Sequence, residues 1–146
     1  PLVCAGFTVE EDVLPAQGAA ALGALSGLHW ALLLDNPVNN RFTVSYKERT
    51  GKEANVFAVH GYDTARLIVE MLNAVQGDTT DVDKMIDVIP GIKFDSPRGP
   101  FKLDPSSQNP RQHIYVREVQ EVDGALHNVV IDDLGEISDP GDDSKG

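Results

Sequence analysis

The chain has 146 residues, 41% of them hydrophobic, enough to bury a core in one domain of average size. Twelve Lys and Arg against 23 Asp and Glu leave a net charge of −11, which argues against a nucleic-acid partner, because phosphate binding needs clustered cations. No apolar run is long enough to span a bilayer: Leu22 to Leu34 is broken by Gly23, Ser26, Gly27 and His29.

No basic-then-apolar signal opens the chain, and Pro1 in first place reads as a mature form or a piece of something longer. Leu2 to Phe7 reads as a buried strand of the parallel type. Cys4 within it is expected to pack as an inert, buried small hydrophobe. Thr8 precedes Glu10-Glu11-Asp12, a pattern that predicts an N-cap and an acidic first helical turn. Pro15 suits the start of that helix, and Gly18 and Gly23 break it into one or two short pieces. Leu25 to Leu32 is a second strand.

Asp35-Asn36-Pro37 is a turn with proline at the first helical position. A helix over Val38 to Arg49 follows, with Val38, Phe42 and Tyr46 on one face and Gly51 as its stop. Lys47 to Lys52, the most basic stretch, is its solvated end. The longest helix runs from about Asn55 to Val75, with Val56, Val59, Leu67, Ile68, Met71, Leu72 and Val75 as its apolar set and Gly77 after its end. Thr80 with Asp83 resembles a capping box that opens a helix closed by Pro90-Gly91. After Gly91 the period changes to two. Ile92, Phe94, Phe101 and Leu103 predict a hairpin around Ser96-Pro97-Arg98-Gly99-Pro100, and Asp104 to Pro110 is a polar linker. Asp123-Gly124 between Ile114–Val119 and Val129–Ile131 is a second hairpin signal. The alternation of strands and helices favours α/β over α+β.

The search for chemistry returns little. His29, His60, His113 and His127 show no metal-ligand spacing and no cysteine pair joins them. His29, beside Trp30, reads as a core or pocket histidine, and His113 and His127 as surface residues. Asp132-Asp133 and Asp142-Asp143 lack the spacing of a calcium loop. Neither a nucleophile elbow nor a phosphate-binding loop is present, and no carboxylate pair stands out as acid and base. The expectation is a binding module without catalysis, cofactor or metal. His60 draws interest because it stands near the start of the long helix, beside Gly61-Tyr62-Asp63.

Four blocks carry a family resemblance. They are Asp35-Asn36-Pro37-Val38-Asn39-Asn40-Arg41-Phe42 with Tyr46 and Gly51; Gly61-Tyr62-Asp63-Thr64-Ala65; Phe94 to Asp104 around Ser96-Pro97-Arg98-Gly99; and Ile114-Tyr115-Val116-Arg117-Glu118-Val119. In this order, over about Leu2 to Pro140, they resemble the type I solute-binding proteins of ABC transporters, the branched-chain amino acid type. Thr64 departs from the alanine usual there. The resemblance implies an α/β chain that is part of a two-lobed periplasmic-binding-protein type I fold, each lobe a three-layer α/β/α sandwich, with solute clamped between the lobes. A full member is more than twice as long, and this chain matches roughly its last two-fifths. By the same analogy residues 1–35 belong to the second lobe, 36–107 to the first, 108–137 form a hairpin returning to the second, and 138–146 is a flexible acidic tail.

The implied function is an extracytoplasmic, periplasmic receptor of an ABC importer. Its partners are a small amino acid or aromatic carboxylate and a membrane permease. The alternative is a ligand-sensing domain of a receptor or regulator with the same fold. Ligands of open α/β sheets bind beyond the carboxyl ends of strands, and Gly6-Phe7-Thr8 is such an end. With the family's use of the long helix start, this points to Phe7, Thr8, Phe57, His60 and Tyr62 as ligand-binding residues. Because the lobes would share this chain incompletely, the isolated chain is expected to self-associate, to swap elements with a second copy or to require the N-terminal part of a full member, which sedimentation checks.

Overall fold

The computed structural model describes residues 1–138. In order they form β1 (Val3–Ala5), α1 (Leu14–Gln17), β2 (Leu25–Leu28), α2 (Pro37–Thr50), α3 (Val56–Ala74), α4 (Val82–Val88), β3 (Lys93–Ser96), β4 (Gly99–Leu103), β5 (Pro110–Val122) and β6 (Ala125–Ile137). Short 3-10 turns occupy Gly6–Val9, Gly18–Ala21 and Ile89–Gly91. The expected flexible tail lies outside the described residues except for Ser138. The strands make one mixed sheet in the order β1-β2-β5-β4-β3, with β6 also paired to β5. Only β1 and β2 are parallel, Val3 opposite Leu25. The long β5 receives β2 at Tyr115–Glu118 and β4 at Pro110–Arg111, so it links the two ends of the sheet.

Local chemistry explains the element ends. Asn36 caps α2 by accepting from the Asn39 amide at 2.7 Å, with Pro37 just inside the helix. Gly51 ends it in the left-handed region at φ 70°. Asn55 caps α3 by accepting from the Ala58 amide at 3.0 Å. Asp123 and Gly124, at φ 52° and 81°, make the turn between β5 and β6, as an Asp-Gly pair with both φ positive should.

The sheet and helices enclose two apolar clusters. One joins Leu28, Trp30 and Leu32 to Val56 and Val59, with Phe42 and Tyr46 packed on it. The other joins Val9, Leu14, Ala21 and Ala24 to Val119, with Leu126 and Cys4 at its edge. Buried polar groups stitch these clusters together. Asn39 accepts from Trp30 Nε1 at 2.8 Å and donates to the carbonyls of Leu32 at 3.1 Å and Leu34 at 2.8 Å. Arg117, fully buried on β5, donates from Nε to Ser26 Oγ at 3.3 Å, from Nη1 to Trp30 O at 2.9 Å and from Nη2 to Gly6 O at 3.0 Å, and faces Glu10 Oε2 at 3.4 Å. Gly6 has no room for a side chain: a Cβ there would lie 2.7 Å from Gly27 O and 2.8 Å from Leu28 Cβ.

Several expectations are corrected. β1 is parallel to β2, but it lies at the sheet edge and Val3 is 72% exposed, so the strand is not buried. Cys4 is half-buried, its thiol 3.6 Å from Leu25 O. Thr8 is no N-cap: it lies inside the 3-10 turn, and α1 begins only at Leu14, without a side-chain cap. Glu10 and Glu11 are therefore not first-turn charges. Glu10 turns inward to Arg117, and Glu11 accepts from the Asn128 amide at 3.1 Å. The cap of α4 is Asp81, which accepts from the Lys84 amide, and not Thr80. Ile68, expected in the apolar set of α3, is 47% exposed. His113 and His127 are half-buried against Asp133 and Glu11. Pro110, expected in a linker, starts β5, which runs past its apolar pattern because β4 pairs with Pro110 and Arg111 and β6 pairs along it from Gln112 to Val122.

Candidate ligand-binding site

The turn after β1 and the first turns of α3 meet. Phe7 stacks on Phe57 with ring centroids 5.9 Å apart and an interplanar angle of 25°. Phe57 stands edge-on to His60 at 6.5 Å. His60 in turn stacks on His29, just beyond β2, with the two Nε2 atoms 2.9 Å apart. A bond of that length needs one ring nitrogen to donate and the other to accept, so at least one ring is neutral. Burial pushes the His29 ring down to about 3, with the nearby Arg98 and His60 acting in the same direction. Burial and Arg98 also lower His60, while Asp63 opposes them.

A cleft of about 500 Å³ adjoins this pair, lined by His29, His60, Asp63, Arg98, Phe101 and Gln112 among others. Arg98 reaches Asp63 at 2.6 Å, bonds Gln112, and lies 5.1 Å over the Phe101 ring. Burial raises Asp63 while Arg98 pulls against it. The guanidinium is thus largely committed to partners within the chain. The Pro97-Arg98 turn is held from three further sides. Asn36 Nδ2 donates to Pro97 O at 2.8 Å, Tyr115 Oη donates to Arg98 O at 2.9 Å, and Ser96 Oγ accepts from the Arg98 amide at 3.2 Å. All four blocks singled out in the sequence converge on this turn.

The structure brings Phe7, Phe57 and His60 together and adds His29. Thr8 is adjacent but exposed, and its carbonyl accepts from Gln17 Nε2 at 2.8 Å. Tyr62 is elsewhere: it meets Phe42 edge-on at 5.3 Å and lines a separate groove between α2 and α3. Helical geometry accounts for the split. At about 100° per residue, His60 lies about 60° around the helix from Phe57, whereas Tyr62 lies about 140° away. That arithmetic was available from the sequence. Arg98 and Asp63 were not singled out as cleft residues, although Asp63 follows His60 at i+3, on the same face. Among the described residues no helix is long and apolar enough to cross a membrane.

Comparison with known proteins places this arrangement in a family. A family model described as periplasmic binding protein matches residues 1–125. Leu/Ile/Val-binding protein homolog 6 of Brucella abortus is 35% identical over 143 residues, 96% of this chain and 36% of that protein. A solute binding protein of an ABC transporter from Rhodopseudomonas palustris BisB5, solved with 3,4-dihydroxybenzoic acid, superposes with a TM-score of 0.90 at 34% identity, covering 95% of this chain and 38% of the other. A second, from Rhodopseudomonas palustris HaA2 and solved with p-hydroxybenzoic acid, gives 0.89 at 36% identity, covering 98% and 39%. The chain spans between 36% and 39% of the length of these three proteins. The chain belongs to the periplasmic binding protein family, and its mixed sheet and helices are the portion of a two-lobed type I solute-binding fold that these residues span.

Proposed function

We propose that the protein to which this chain belongs is the extracytoplasmic receptor of an ABC importer, that it is not an enzyme, and that it holds a small aromatic carboxylic acid between two lobes before docking on a membrane permease. An apolar amino acid is the second solute class in this reading. In it, 1–35 and 108–137 serve one lobe and 36–107 the other. The observation that carries the reading is the meeting of Phe7 with Phe57 and His29 with His60, which sets aromatic faces and imidazole nitrogens beside a cleft. Two relatives at 34% and 36% identity bind hydroxylated benzoic acids, which favours the aromatic class. A flat ring between two others needs roughly 7 Å, twice a contact of about 3.5 Å, and the Phe7–Phe57 centroids are 5.9 Å apart. The two rings must separate to admit a sandwiched solute, or the solute must lie against their edges. Since Arg98 is matched by Asp63, the solute's carboxylate is assigned to donors in the part of the receptor beyond this chain. Tyr62 as a ligand contact rests on the sequence resemblance, and Thr8 on that resemblance and on its place at the end of a strand.

The test is calorimetric titration of the complete receptor with 4-hydroxybenzoate and with leucine. Phe57→Ala is expected to weaken binding of the preferred solute roughly tenfold, through lost stacking and burial. Thr8→Val is expected to weaken it less. Both side chains are largely exposed, Phe57 at 60%, so the melting temperature without solute should hardly move. Unchanged affinity in both variants would show that the site is assigned wrongly.

A further inference from the structure

The first turn of α3 is tied to the β1–β2 end of the sheet by one buried carboxylate. Glu10, 2% exposed, accepts from the Val56 amide through Oε1 at 3.0 Å and faces Arg117 through Oε2. Arg117 is already fixed to Ser26, Trp30 and Gly6. Asn55, the cap of α3, serves the Ala58 amide, which leaves the Val56 amide to Glu10. The next residue is Phe57, and His60 follows one turn later. A carboxylate at this place gains from both the amide and the positive end of the helix dipole, so the contact fixes position and direction together.

We propose that Glu10 is a positioning residue of the solute site: it sets the first turn of α3 against the Arg117 anchor and so holds Phe57 to Phe7 and His60 to His29. The role in binding rests on the reading of this cleft as the solute site. Glu10 touches no solute in this account and acts through the helix.

Val56→Pro removes the donor of the contact. It replaces the amide hydrogen with the ring Cδ, which would crowd Glu10 Oε1, 3.0 Å from the nitrogen, so the carboxylate is displaced as well as unpaired, and it reshapes a side chain buried in the core. Proline is favoured at the first helical position, and Asn55 already has the extended backbone, φ −130° and ψ 177°, that a residue before proline adopts. In the complete receptor Val56→Pro is expected to weaken 4-hydroxybenzoate binding roughly tenfold, mainly through faster release. Glu10→Asp, too short to reach Val56 while still facing Arg117, should lose as much. The double variant should lose no more than either single one, which a merely additive loss of packing would not produce. Wild-type affinity and release rate in Val56→Pro overturn the proposal, as does full additivity. If the unaltered receptor binds neither 4-hydroxybenzoate nor leucine, the solute reading fails by itself. The positional claim is then decided by magnetic resonance: Val56→Pro should shift the ring signals of Phe57 and the titration of His60, and unchanged signals refute it.

Discussion

Arg117→Ala is expected to cost the complete protein about 3–5 kcal/mol, because it leaves the Glu10 carboxylate buried and uncompensated. It also removes the donors that satisfy the carbonyls of Gly6 and Trp30, and each orphaned buried acceptor adds to the loss. Against a total stability of about 5–15 kcal/mol, that is enough to leave much of the protein unfolded at moderate temperature. Arg117→Met combined with Glu10→Leu removes both charges and should cost less than Arg117→Ala. Denaturant unfolding measures both. Stability of Arg117→Ala within about 1 kcal/mol of the parent, the size of an ordinary substitution, would mean that the knot is not what joins β5, β2 and α3.

The second large effect is a loss of stability in acid that traces to His29. Its ring is pushed down to about 3 in the folded protein, from an ordinary value of 6.5. Between those values the unfolded chain takes up a proton that the folded chain refuses. Stability is therefore full above about pH 6.5 and falls as pH drops towards about 3, by a few kcal/mol. His60, also lowered by burial, acts with the same sign. Glu10 and Asp63 act with the opposite sign, since burial raises both and the folded state then holds their protons more readily. A comparison of the complete protein with His29→Gln separates these contributions. The parent should lose stability relative to the variant as pH falls through this window. Parallel stability curves for the two proteins would rule out a buried, neutral His29.

What the sequence showed and what it hid divide by distance along the chain. The Asn36-Pro37 start of α2, the Gly51 stop and the Asp123-Gly124 turn were legible because each is set by its own few residues. Glu10 and Glu11 were misread as first-turn charges because their partners, Arg117 and Asn128, are more than 100 positions away. The Thr80 error is one residue wide: Asp81 offers a carboxylate where Thr80 offers a hydroxyl, and both suit a helix start. The length of β5 depends on β2, β4 and β6 together, which no local pattern records.

The same division holds at the cleft. Asn36, Asp63, Arg98 and Tyr115 supplied the family resemblance, and all four secure the Pro97-Arg98 turn. The residues that resemblance made most visible thus hold the scaffold, while the aromatic cluster draws mainly on positions outside the four blocks. His29 was placed in a core or pocket from its apolar neighbours, but its partner, 31 residues further on, could be found only in the fold.

The most direct test of the receptor reading is native mass spectrometry of the complete protein as it comes from its source, before any exchange of solute. The account predicts one bound small carboxylic acid per protein, of aromatic or apolar amino-acid type, released on unfolding and restored by adding the same acid. A protein that carries no such acid, and whose melting temperature rises with neither aromatic acids nor apolar amino acids, would contradict it.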